Sequence, residues 1–143
     1  MIDTVSHSYT GRCLCGAVTF EIVGVPVIVA QCHCEECRRL SGTGHTTGAM
    51  FASSGVTLHG EIGEFIYKSG TDSEVTRGFC KTCGSPIFGR NTRLADHITV
   101  PLGSIDDTTG LNVQVVIFAR DKPHWDELGS DVAVFDTQPD WAP

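Results

Sequence analysis

Seven cysteines in a chain of 143 residues stand in three tight clusters: Cys13-x-Cys15, Cys32-x-Cys34-x-x-Cys37 and Cys80-x-x-Cys83. An odd number cannot close into a complete disulfide set within one chain, and thiols at knuckle spacing are the pattern of a metal site. Short turns aim two thiolates at one ion, and Gly16 and Gly84 stand where the chain must double back. Two such pairs complete a tetrahedral four-thiolate shell, the usual structural zinc site. The expectation is two zinc ions per chain, one held by four cysteines and one by three.

Two divisions of the seven cysteines are possible. In the first, Cys13, Cys15, Cys80 and Cys83 form a closed site, and Cys32, Cys34 and Cys37 form the second. In the other, Cys34, Cys37, Cys80 and Cys83 make a zinc ribbon and leave Cys13, Cys15 and Cys32 over. The first is favoured because its three remaining thiols are contiguous and can converge locally. Its consequence is chemical. Structural zinc takes four protein ligands, whereas reactive zinc takes three and keeps a position for water or substrate. Three thiolates on Zn²⁺ leave a negative centre that is a poor activator of water. Such a centre suits an incoming thiol, which coordination deprotonates. A histidine such as His33 or His45 would close the site if it became a fourth ligand. His33 lies between two ligands, and neighbours in a knuckle point apart, so it is expected to face away from that zinc.

The rest of the chain reads as mainly β, with short antiparallel strands. Residues 17–23, 25–30, 56–59, 65–68, 75–79, 97–102 and 113–118 are rich in β-branched and aromatic residues and are separated by turn signals. One short helix is expected over 35–40, directly after the knuckle. The segment Ser41-Gly42-Thr43-Gly44-His45-Thr46-Thr47-Gly48 reads as a flexible turn or a substrate loop; it lacks the spacing of a dinucleotide fingerprint. Residues 1–143 form a single zinc-binding domain in this reading. Residues 121–143, with three prolines and both tryptophans, are expected to form an ordered C-terminal tail in which Trp125 and Trp141 pack on the body.

Net charge is −7 and no basic run occurs, which argues against nucleic-acid partners. The first residues, Met1 to Gly11, are polar and lack a signal-peptide core, and no apolar run is long enough to span a membrane. The expected compartment is the cytosol, where thiols stay reduced. Arg38 and Arg39 follow Cys37 directly, and either could offset the thiolates or pair with a substrate carboxylate. His45 is a candidate acid, base or zinc partner. Glu35-Glu36 and Asp106-Asp107 are adjacent in sequence, point different ways and are expected in solvent.

Three stretches carry a resemblance: Gly11-Arg12-Cys13-Leu14-Cys15-Gly16-Ala17-Val18, Cys32-His33-Cys34-Glu35-Glu36-Cys37-Arg38-Arg39 and Phe79-Cys80-Lys81-Thr82-Cys83-Gly84-Ser85-Pro86. With Pro123-His124-Trp125, they make the chain, over about residues 10–130, similar to the glutathione-dependent formaldehyde-activating enzyme family, which includes centromere protein V. The resemblance implies a β fold around a structural zinc, shared with B-type methionine sulfoxide reductases. It assigns Cys13, Cys15, Cys80 and Cys83 to the structural zinc and Cys32, Cys34 and Cys37 to the second. It also implies a carbon–sulfur lyase that forms S-(hydroxymethyl)glutathione from glutathione and formaldehyde, with Arg38 and His45 as candidate substrate contacts. The competing expectations are a non-catalytic zinc module that binds protein and a thiol or zinc redox sensor.

Overall fold

The computed structural model describes residues 7–139. Eleven strands and one helix follow in order: β1 (Ser8–Arg12), β2 (Thr19–Val23), β3 (Ile28–Cys32), α1 (Glu35–Ser41), β4 (Thr46–Ala52), β5 (Val56–His59), β6 (Ile62–Lys68), β7 (Glu74–Cys80), β8 (Pro86–Asn91), β9 (His97–Pro101), β10 (Val115–Ile117) and β11 (Ala133–Val134). They form a three-stranded sheet, β1-β2-β5, and an eight-stranded sheet, β11-β10-β3-β4-β9-β8-β7-β6.

Period-two alternation decides which faces meet. In β2, Phe20 and Ile22 are buried between exposed neighbours. They pack in one core with Val29, Ala49, Phe51, Ile87, Ile98 and Val100 of the large sheet. The residues between these on β3 and β4 face the other way: Ala30 pairs with Gly48 and Cys32 with Thr46. The same outer face continues through Met50 opposite Thr99, Thr99 opposite Gly89, Gly89 opposite Arg77, and Arg77 opposite Phe65. Any side chain on this row is therefore presented away from the core, on the face that carries Cys32.

Helix α1 is short and well capped. Cys34 is its N-cap and its sulfur accepts the Cys37 N–H, while Gly42, at φ 73°, ends the helix by donating to the Arg38 carbonyl. Glu35 and Glu36 sit in the first turn and Arg38 and Arg39 in the last, with the helix dipole.

The sheet differs from the sequence reading in several ways. β1, β4 and β8 lie where no strand is expected. β4 hides its alternation behind Thr46-Thr47-Gly48-Ala49, residues too small to register as a pattern. β8 opens on Pro86 and buries Ile87, Phe88 and Gly89 in succession, and a register shift at Gly78/Phe79 breaks its pairing with β7. Strands are antiparallel throughout except at one edge, where β10 runs parallel to both β3 and β11. The tail is held there by Phe135 N–H to Val116 O at 2.8 Å and Ala119 N–H to Phe135 O at 3.0 Å. Trp125 does not pack as expected: it is 57% exposed, on a turn of the C-terminal segment. Trp141 lies outside the described residues. Among the described residues, no helix is long and apolar enough to cross a membrane.

Candidate metal centres

The β1–β2 turn carries Cys13 and Cys15, and the β7–β8 turn carries Cys80 and Cys83. The four sulfurs lie within 4.8 Å of one another. Gly16 and Gly84, at φ 82° and 79°, make both turns possible. Cys13 and Cys15 sulfurs are 3.6 Å apart, and Cys15 and Cys80 sulfurs 3.8 Å. Four sulfurs at ~2.3 Å from a tetrahedral zinc stand about 3.8 Å apart, whereas disulfide sulfurs stand about 2.0 Å apart. The donor set therefore fits a zinc ion and not a pair of disulfides.

Donors that favour thiolates surround these sulfurs. Val18 N–H reaches Cys13 Sγ at 3.3 Å, and the Thr82 and Cys83 N–H groups reach Cys80 Sγ at 3.3 and 3.4 Å. Ser85 joins the two turns: its hydroxyl is 3.2 Å from Cys83 Sγ, and its oxygen accepts the Leu14 N–H at 3.1 Å. The Ser85 hydrogen bonds lower the Cys83 thiol to about 5.

A second group is built from the end of β3 and the start of α1. Cys32, Cys34 and Cys37 bring their sulfurs within 4.8 Å of one another, with no fourth cysteine, histidine or carboxylate in the group among the described residues. Arg77, half-buried on the outer face of β7, places Nη2 3.7 Å from Cys37 Sγ and donates from Nε to the Tyr67 hydroxyl at 3.3 Å. Hydrogen bonds from Cys32 and Cys34, with the charge of Arg77 behind them, push the Cys37 thiol down to about 2. Cys34, eased by Cys32 but opposed by Cys37 and by burial, is pushed up to about 12. The hydrogen bonds of Cys34 and Cys37 push Cys32 further up. Three thiols this close share one ready ionisation; losing all three protons needs a cation of higher charge among them. A divalent metal ion would supply that charge.

The three thiols open on a cleft of about 680 Å³. Arg38, Arg77, Arg93 and Arg120 line it, against the carboxylates of Glu35, Glu36 and Asp121. In a chain of net charge −7, this mouth gathers four arginines against three carboxylates. Phe118, Thr137 and Gln138 form the wall contributed by the C-terminal segment. Arg39 is turned away on the surface, 2.8 Å from Glu35. A neighbouring cleft of about 500 Å³, mainly apolar, is lined by His45, Phe65, Phe79 and Phe88 and shares Arg77.

His33 faces away from the thiols and is completely buried. Its Nδ1 lies 3.1 Å from the Gly44 carbonyl and 3.1 Å from Asp126 Oδ2, and His45 Nδ1 lies 2.7 Å from the same carboxylate oxygen. Burial lowers the pKa of His33 and leaves it neutral. Asp126, although burial would raise it, is held below its usual range by His45. His45 thus stands with Asp126 and not at the thiolate cleft; Arg38 does line that cleft.

Sequence reasoning missed Arg77, Tyr67, Arg93, Arg120 and Asp126. Arg77 left a legible trace: alternation puts it on one face with Val75 and Phe79, and an arginine in an apolar row asks for a partner. The others reach the site from distant segments with no spacing to announce them.

Two thiol groups on a two-sheet β fold, one with four cysteines and one with three, define a cysteine-rich β protein of the kind built around thiolate-bound metal. The family model described as glutathione-dependent formaldehyde-activating enzyme matches residues 8–121. The chain belongs to that enzyme family. A protein of Halomonas elongata, provisionally named a glutathione-dependent formaldehyde-activating enzyme, is 29% identical over 126 residues, which cover 84% of this chain and 80% of the relative. An uncharacterised lyase of Schizosaccharomyces pombe is 20% identical over 127 residues, 89% of this chain and 90% of the relative. A Rhodobacter sphaeroides protein of known crystal structure shares the fold, with a TM-score of 0.56 and 23% identity over 88% of this chain and 98% of that one.

Proposed function

We propose that this protein is a zinc-dependent carbon–sulfur lyase that joins a small thiol such as glutathione to formaldehyde or another small aldehyde, acting at Cys32, Cys34 and Cys37. The observation that carries this reading is the convergence of three thiols, with no fourth ligand among the described residues, on the floor of an arginine-lined cleft. In it, 1–143 is one zinc-binding domain with two zinc ions, of which the Cys13–Cys15–Cys80–Cys83 ion holds the fold. Reduced thiols at both centres suit the cytosol.

Cys32, Cys34 and Cys37 would hold the zinc, which would supply the positive charge that stabilises an incoming thiol as its thiolate. The chain's own residues supply the rest. Arg38, Arg93 and Arg120 bind the carboxylates of a tripeptide thiol, for which guanidinium forks are matched in geometry. Arg77 offsets the negative charge of the sulfurs. The attacking sulfur forms the C–S bond as the carbonyl π pair moves to oxygen, and that oxygen then takes up one proton in place of the one the thiol lost. Tyr67 lines the cleft, receives a hydrogen bond from Arg77 and retains its own proton because burial raises it. Its hydroxyl is placed to donate to the developing oxyanion. His45 is assigned to the Asp126 network, and substrate contact to the arginines.

The test is the rate of S-(hydroxymethyl)glutathione formation by zinc-loaded protein. A rate no greater than that of the spontaneous reaction sinks this reading. Metal released by mild peroxide, without turnover, would instead favour the sensor reading, for which the low Cys37 thiol is the motivating feature.

A further inference from the structure

We infer that Asp126 is the positioning residue of the three-thiol centre: through His33 it fixes from behind the knuckle that carries Cys32 and Cys34, and it ties the cleft wall to that knuckle. The inference rests on reading Cys32, Cys34 and Cys37 as a zinc centre.

Cys32 and Cys34 face the cleft, so His33 between them faces the body, where it is fully buried. Its Nδ1 is hydrogen-bonded to the Gly44 carbonyl and lies 3.1 Å from the Asp126 carboxylate; both atoms are acceptors, so Nδ1 carries the proton, donates it to Gly44 and turns the positive end of its N–H toward the carboxylate. Its Nε2 has no hydrogen-bond partner among the described residues. One nitrogen therefore carries the whole polar anchorage of the ring. Asp126 Oδ2 also accepts from His45 at the entry to β4. Gly44 is where the carboxylate rests: a Cβ on it would run into the Asp126 carboxyl group. Asp126 is itself fixed, by its N–H to Pro123 O at 3.1 Å and by Lys122 Nζ to its own carbonyl at 2.7 Å. That turn lies between Phe118–Asp121 and Thr137–Gln138, the two stretches of the C-terminal segment that line the thiol cleft. One carboxylate thus locks the knuckle, the loop before β4 and the cleft wall together.

A third metal ion does not explain the cluster. Nitrogen and oxygen ligands at ~2.0–2.1 Å from a tetrahedral zinc stand about 3.3 Å apart. His45 and Asp126 are 2.7 Å apart, a hydrogen-bond distance. A nitrogen that donates its proton to Gly44 also has no lone pair to give a metal.

Groups that hydrogen-bond a metal ligand directly typically change metal affinity by about 10–100-fold, and a group acting through the knuckle backbone is expected at the lower end of that range. The test follows zinc transfer to a chromophoric chelator from the full chain, with Cys32→Ser protein giving the release rate of the four-cysteine zinc alone. Asp126→Asn is expected to release the second zinc about tenfold faster, leave the first unchanged and alter the thiolate–cobalt charge-transfer band of the cobalt-loaded second centre. His45→Phe, which removes one donor and keeps a ring, carries the test if Asp126→Asn does not fold. His45→Asn, whose amide nitrogen can stand where Nδ1 stands, is expected to restore the slow rate. Glu127→Gln, the same charge change one residue on, is expected to do nothing. Equal acceleration of both zincs, or of neither, overturns the inference while leaving the zinc reading intact. A wild-type chain that binds one zinc overturns both.

Discussion

Arg77 passes across Gly89, where a Cβ would stand 2.8 Å from its Nη1, to end 3.7 Å from the sulfur of Cys37. The missing side chain on β8 is what lets a half-buried guanidinium on β7 reach a thiol on α1. The pairing couples the sheet to the second centre, and it sets the first prediction. Gly89→Ala is expected to leave the chain folded, move the guanidinium off the sulfur and weaken the second zinc. Arg77→Gln is expected to do so more strongly, by about tenfold or more, because it leaves a buried thiolate without its cation. Zinc competition by isothermal titration measures both, and unchanged affinity in Arg77→Gln would refute the coupling.

The two centres are expected to fail differently. Cys80→Ser opens the site that joins the β1–β2 and β7–β8 turns, and structural zinc contributes on the order of 10 kcal/mol in small zinc folds. It is expected to unfold or aggregate. Cys32→Ser is expected to remain folded with one zinc. Thermal melts and metal content on both variants decide this, and matching behaviour would show that the cysteines are divided otherwise.

Acid sensitivity follows from Cys83, lowered to about 5 by Ser85. A thiol whose pKa is depressed in the folded state contributes stability above its unfolded value, near 8.5. That contribution shrinks as pH falls and is gone below the folded value. The metal-free chain is therefore expected to lose stability between about pH 8.5 and pH 5 as Cys83 contributes less. Ser85→Ala raises the folded value and narrows that window from below. Denaturant melts at stepped pH on the metal-free wild type and variant show this; identical profiles would remove Ser85 from the account.

Much of this was legible in the residues. Thiol spacing announced both groups because a zinc knuckle is local: Cys32, Cys34 and Cys37 need only one turn to meet. The helix expected over 35–40, found as Glu35–Ser41, was legible from the same knuckle. β4 was not, because Thr46 to Ala49 are small residues that pack through their backbone, and β8 was not, because a bulge removes the period on which strand reading depends. Arg93, Arg120 and Asp126 were silent for a different reason. They are brought to the site by the short 3₁₀ turn Thr92–Leu94 after β8 and by a tail whose parallel pairing at β10 no local pattern encodes.

The arginines give a binding prediction. Arg93→Ala and Arg120→Ala are each expected to raise KM for glutathione about tenfold with little change in kcat, since loss of a carboxylate contact weakens ground and transition state alike. The same variants should respond less to a thiol without carboxylates, such as 2-mercaptoethanol. Equal losses with both thiols would show that these side chains support the cleft and not the substrate.

Tyr67 gives the complementary case. Its phenol accepts from Arg77 Nε, so its single proton is left for the cleft, and burial keeps that proton on through neutral pH. Tyr67→Phe removes the hydroxyl and leaves the ring against the wall. If the hydroxyl serves the developing oxyanion, kcat falls by about 10²–10³ while KM for glutathione holds, because the hydrogen bond strengthens only as charge appears on oxygen. If it serves only to steady Arg77, zinc affinity falls with kcat, as in Arg77→Gln. Measuring kcat, KM and second-site zinc affinity on the one variant separates the two roles, and a Tyr67→Phe protein with wild-type kcat would assign the oxyanion to another donor.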